Sequence, residues 1–160
     1  MSTYRIGIDP GVSGALVLLL DGTKTPLEWT RMPTMVVGTG RRVDCSEVAR
    51  WIEKCLCGPA DIAFAYLELV GAMPGQSPNS MFSFGHATGS IVGVLAAMQI
   101  PVTHVTPQAW KRRAGLIGKD KDAARSRAIQ LWPAWGALGK KGEGQALADA
   151  ALIARFGEAA

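Results

Sequence analysis

Tyr4 to Gly14 reads Y-R-I-G-I-D-P-G-V-S-G, an apolar strand that stops at one acid and a tight glycine turn. Asp9 is the residue to account for. A carboxylate closing a buried strand is costly to desolvate unless something pairs with it, and a metal ion is a common functional partner. An Asp in this position also caps a turn through its own backbone. On this stretch alone both readings stand.

The neighbouring segments set the fold class. Tyr4 to Asp9 and Ala15 to Leu20 read as hairpin strands around Pro10-Gly11-Val12-Ser13-Gly14, and Leu27 to Met32 as a third strand. Thr34 to Arg42 reads as a Gly- and Thr-rich loop ending in Arg41-Arg42. From Ser46 the apolar positions Val48, Trp51, Ile52, Cys55 and Leu56 fall on one helical face, and Gly58-Pro59 stops that helix. Ile62 to Val70 is a further strand that again carries a single acid, Glu68.

A long helix capped by Asn79 or Ser80 should reach about Met98, with Gly85, Gly89 and Gly93 packing closely on the sheet or on a partner helix. Pro101 to Val105 is the fifth strand. Pro107 opens a helix with Trp110 and Lys111, Asp120 to Trp132 forms another, and Ala146 to Phe156 is alanine-rich, with Asp149 on it. This order predicts an α/β fold. Its five-stranded mixed sheet has three antiparallel N-terminal strands and then two parallel ones, with helices on both faces.

The 160 residues, 48% of them hydrophobic, suit one domain spanning 1–160. No secretory signal or membrane-spanning apolar run is apparent, so a cytoplasmic location is expected. Cys45, Cys55 and Cys57 lack a second ligand pair for zinc and read as reduced thiols. The net charge is +4, but seven basic residues face two acidic ones between Lys111 and Arg127. Such a segment suits a polyanion, or else is a solvated helix face.

Asp9, Glu68 and Asp149 are thus acids in otherwise apolar settings. If they converge, cations must offset them. Three carboxylates plus a substrate phosphate match two Mg²⁺, which activate water and stabilise the leaving oxygen in phosphodiester cleavage.

I-G-I-D-P-G at 6–11, Y-L-E-L-V-G-A-M-P-G-Q at 66–76, F-G-H-A-T-G at 84–89, V-T-P-Q-A-W-K at 105–111 and A-D-A-A-L-I-A at 148–154 occur in one order along nearly the whole chain. Together they resemble the RuvC-type Holliday junction resolvases, especially the compact versions found in phages. The resemblance implies a ribonuclease H-like fold, a homodimer, Mg²⁺ or Mn²⁺, and paired nicks in a branched DNA junction that leave 5′-phosphate and 3′-hydroxyl ends. It implies Asp9 as the ligand shared by both metals, Glu68 as ligand to one and Asp149 as ligand from the last helix.

The family carries a further Asp or His about one turn before the final acid, where this sequence has Gln145 and Ala146. Glu143 and Gln145 are candidates to replace it, and a site of three carboxylates is the other option. Lys119, ahead of Lys121, is the candidate for the lysine near the scissile phosphate. Lys111, Arg112, Arg113, Lys121 and Arg125 would hold DNA backbone, and Arg41 and Arg42 a second arm. His86, Phe82 and Phe84 read as packing residues, although the two phenylalanines could wedge into an opened junction. Trp110, Trp132 and Trp135 should pack around the basic segment. Two other functions stay in view: an inactive junction-binding protein, because the fourth acid is missing, and an ATPase of the sugar-kinase type, because I-D-P-G-V-S-G resembles its first phosphate loop.

Overall fold

The structure, a computed structural model, describes residues 2–158 except 57, 59, 60 and 73. Cys57, Pro59 and Met73 therefore lie outside the described residues. β1 (Thr3–Asp9), β2 (Ala15–Leu20) and β3 (Thr25–Arg31) form an antiparallel meander. β6 (Ile62–Glu68) and β7 (Val102–Val105) add in parallel beside β1, giving the order β3-β2-β1-β6-β7. This is the mixed sheet expected from the element order.

Alternation along the strands decides what each face meets. Ile6, Ile8, Leu16 and Leu18 pack with Val48 and Ile52 of α1 (Cys45–Cys55) and with Ala87, Ile91 and Leu95 of α2 (Pro78–Ala97). Ala15, Val17 and Leu19 face the other way, onto the alanines of α5 (Lys141–Phe156). Asp9 shares that second face by parity. Gly7, two residues earlier, has no side chain because none fits: a Cβ there would stand 1.9 Å from the carbonyl oxygen of Ala150. Close approach of α5 to β1 depends on that vacancy. At the far end of α5, buried Arg5 pairs with Glu158 and Asp21.

The structure departs from the expected elements at four places. Residues 34–42 are not a loop: β4 (Thr34–Val37) and β5 (Gly40–Val43) pair as a hairpin around Gly38, whose φ of 61° belongs to a left-handed turn. The β-branched Val36 and Val37 outweigh the glycines that suggested irregularity. Gly85, Gly89 and Gly93 do not pack within the chain, since nothing lies within 4 Å of a Cβ built at any of them. They lie on the open side of α2, a helix long and apolar enough to cross a membrane by length and composition, of which Ala87, Ile91 and Leu95 face the core. Phe82 is 64% exposed and not a core residue.

The last helix begins at Lys141 rather than at Ala146. Gly142 and Gly144 are weak helix formers and hide that first turn from a propensity reading. Gly144 is needed there, because a Cβ would meet the Leu138 carbonyl oxygen at 2.6 Å, in the 3₁₀ turn Gly136–Gly139. Between β7 and α5 the basic segment folds as α3 (Pro107–Ala114) and α4 (Ala123–Leu131). Trp110, Trp132 and Trp135 are buried beneath it, as expected.

Candidate active site

β1 and β6 run side by side in the middle of the sheet with Ile8 beside Leu67, so Asp9 and Glu68 stand together at the carboxyl ends of these two strands. α5 crosses β1 next to them and brings Asp149 to the same place. The charges of both Asp149 and Glu68 act on Asp9, and that of Glu68 acts on Asp149. The structure thus gathers the three acids that the sequence singles out.

Their protonation reflects this setting. Burial, and then the charges of Asp149 and Glu68, hold Asp9 well above the usual carboxylate range, against the charge of Lys111. Burial also raises Glu68, against a hydrogen bond of 2.8 Å donated by Trp110 Nε1. Asp149 is pushed up to about 6 by burial, against a 3.1 Å hydrogen bond from Gln145 Nε2. Lys111 lowers all three and is the cation they share.

A divalent ion suits this donor set. Hard oxygen ligands are what Mg²⁺ and Mn²⁺ take, and the oxygen of the Gln145 amide, Oε1, is buried without a hydrogen-bond partner. Among the described residues, no three His, Cys, Asp or Glu side chains already close into one ligand group.

A pH dependence follows for the metal-free protein. A folded-state pKa of about 6 for Asp149, against an ordinary 3.8, stabilises below the ordinary value and is lost as pH rises through the folded one. The loss is roughly 3 kcal/mol between about pH 4 and pH 7. Thermal unfolding in EDTA should therefore occur at a lower temperature at neutral than at acidic pH, and Mn²⁺ should restore it mainly at neutral pH. Equal Mn²⁺ stabilisation at both pH values would count against a carboxylate ion site.

Glu143 is not brought to the acids. It lies on the other side of the first turns of α5, 3.7 Å from Lys140 in an ion pair, facing Trp29 and Arg31. Six residues along a helix place it well off the face of Asp149, while the four-residue step from Gln145 returns to that face. Lys119 and Lys121 line a groove of about 320 Å³ with Gln145, Asp149 and Lys111. Of these lysines, Lys111 is the one whose charge reaches the acids, although the sequence favoured Lys119.

The remaining arginines divide by role. Arg112 is exposed, whereas Arg113 donates to the Phe156 carbonyl at 2.7 Å and Arg125 to the Leu138 carbonyl at 3.2 Å, both tying helices together. Arg41 bonds Thr34 on the exposed hairpin, and Arg42 lies 5.8 Å over the Phe82 ring. His86 is exposed beside Ser90. The sequence pattern assigns Trp110 to packing alone. Its second role had a signal, since a buried indole N–H needs an acceptor and Lys111 follows it directly.

Comparison with known proteins bears on the whole arrangement. The structure superimposes on Thermus thermophilus RuvC in complex with a Holliday junction substrate with a TM-score of 0.55, covering 96% of this chain and 93% of that one at 19% identity. The chain has the RuvC fold. A second structure of Thermus thermophilus RuvC matches at a TM-score of 0.51 and 15% identity, with the same coverage. The ribonuclease H-like sheet and helices expected from the motifs are therefore present. In sequence, the chain is 31% identical over 94 residues to the chloroplastic Holliday junction resolvase MOC1 of Chlamydomonas reinhardtii. That match takes in 58% of this chain and 11% of the relative. No protein-family model matches the chain. Both the fold and this relative agree with the resemblance carried by the five motifs.

Proposed function

We propose that this chain is a structure-selective DNA endonuclease that resolves four-way or other branched junctions by metal-assisted phosphodiester hydrolysis. The observation that carries this reading is the gathering of Asp9, Glu68 and Asp149 at the carboxyl ends of the central strands, beside a groove bearing Lys111, Lys119 and Lys121. Asp9, Glu68 and Asp149 would hold two divalent ions, Mg²⁺ or Mn²⁺, with Gln145 Oε1 in the place of a fourth acid. When bound, the ions supply positive charge for activating water and for the leaving oxygen.

The side chains divide the remaining work. Trp110 orients Glu68, and Gln145 orients Asp149, each through one hydrogen bond. Lys111, already within the field of the acids, serves the scissile phosphate. Lys119 and Lys121, with Arg112, hold neighbouring phosphates, contacts that position a strand without reading its sequence. Arg41 and Arg42 reach a second arm from the hairpin.

Paired nicks need two sites, and the surface of α2 supports a homodimer. The 20 residues of α2 include no charged side chain, yet Phe82, Gly85, Gly89 and Gly93 are open to solvent. A second copy related by a two-fold axis would cover that face and present its own acids to the opposing strand.

The test incubates the protein with a synthetic four-way junction, a Y-fork and linear duplex, each with Mg²⁺ and with EDTA. Metal-dependent nicking of the junction in preference to duplex is expected. Lys111→Met should lose more activity than Lys119→Met. Tight, salt-sensitive junction binding with no cutting in any metal would make the chain a binding protein instead.

A further inference from the structure

Trp29, Thr30, Arg31, Lys140, Glu143 and Leu147 line a groove of about 340 Å³ that the nuclease reading leaves unused. Strand register places it relative to the acids. Asp9 pairs with Ala15, and Ala15 pairs with Arg31, so the three stand in one row across β1, β2 and β3. Paired residues of adjacent strands point to the same face, and Ala15 and Val17 face α5. Arg31 and Trp29, opposite them, therefore share the face of Asp9. Two strand spacings make the separation of Asp9 and Arg31 roughly 10 Å. α5 packs on that face between them, so a DNA strand joining the groove to the acids passes over the first turns of α5 and spans more than about three nucleotides at about 3.4 Å each.

The lining has the chemistry of a nucleotide site. Trp29 is 40% exposed, and an edge-to-face contact with Trp135 at 5.1 Å between centroids holds its ring. A single exposed aromatic residue is ordinary on a protein surface. Here it shares a groove with two exposed cations, Arg31, which stands in the row of Asp9, and Lys140. Glu143 lines the same groove 3.7 Å from Lys140, so Arg31 and Lys140 leave the lining with one net positive charge.

We propose that this groove receives one unpaired nucleotide of the junction strand, its base stacked on Trp29 and its flanking phosphates facing Arg31 and Lys140. A paired duplex offers no free base face, whereas a strand leaving the branch point does. Stacking on an aromatic ring tolerates any base, so the groove grips the opened branch and not a sequence. It acts as a positioning site that sets which phosphate reaches the acids. The proposal rests on the nuclease reading of those acids.

The experiment places 2-aminopurine at successive positions on either side of the crossover of a four-way junction and measures its fluorescence on binding in EDTA, where no strand is cut. One position should be quenched by the wild-type protein and not by Trp29→Leu, which keeps an apolar side chain without a π face, and Trp29→Tyr should restore the quench. Junction affinity should fall about tenfold in Trp29→Leu, with affinity for linear duplex unchanged. Arg31→Gln, which leaves the ring in place, should weaken junction binding and reduce its salt dependence. Wild-type binding with no Trp29-dependent quench at any position would overturn the stacking site and leave the nuclease reading standing. A protein that binds no branched DNA would overturn both.

Discussion

Asp9→Asn is expected to reduce metal-dependent nicking of a four-way junction by about a thousandfold or more while junction affinity in EDTA is kept or slightly improved. Asparagine keeps the shape of the side chain and removes the charge that the other two acids share. Loss of a ligand at a catalytic metal site forfeits several kcal/mol of transition-state stabilisation, and about 4 kcal/mol is a thousandfold in rate. Binding should survive because the proposed phosphate contacts of Lys111, Lys119 and Lys121 do not pass through Asp9, and one fewer negative charge stands beside their groove. The same variant should unfold at a higher temperature than wild type in EDTA at neutral pH. Asp9 is held above the usual carboxylate range by burial and by Asp149 and Glu68, so its ionised form opposes folding there. Gel cleavage assays, binding titrations and thermal melts on one preparation separate these effects. Cleavage within tenfold of wild type would remove Asp9 from the site.

The second large effect falls on a residue with no chemistry of its own. Gly7→Ala should destabilise the protein by roughly 3 kcal/mol, the upper part of the usual range for overpacking. The added methyl group would lie 1.9 Å from the Ala150 carbonyl oxygen and 2.8 Å from the Ala154 side chain. The first contact is backbone, so the whole of α5 must move outward. A chain of this size should then lose about 6 to 12 °C in melting temperature. Because α5 carries Asp149, nicking should also fall at temperatures where the variant remains folded. A melting temperature within about 2 °C of wild type would show that the helix does not depend on this vacancy.

Much of the fold was legible because its strands are short apolar runs separated by strong turn signals, and because acids at the ends of two such runs stand out against their neighbours. The hairpin at 34–43 was not, since Gly38 and Gly40 and the pair Arg41-Arg42 interrupt a stretch whose two strands are only four residues each. The open face of α2 escaped for a related reason. Spacing of Gly85, Gly89 and Gly93 shows that they share one side of a helix, but not whether anything in the chain covers that side.

Local pattern along the chain is enough to single out Asp9, Glu68 and Asp149, to place a basic segment between the last two, and to give the element order of a five-stranded α/β sheet. These are local matters of strand ends, helix periodicity and charge along the chain. Tertiary structure alone decided which neighbours those acids have. Gln145 rather than Glu143 stands beside Asp149 because α5 begins at Lys141, against a 3₁₀ turn that only Gly144 lets it approach. Lys111 rather than Lys119 reaches the acids because burial of Trp110 beneath α3 carries the residue after it toward the site. Trp29 and Arg31 join the row of Asp9 through strand pairing across β2. Each outcome is set by packing between elements far apart in the chain, which no local pattern encodes.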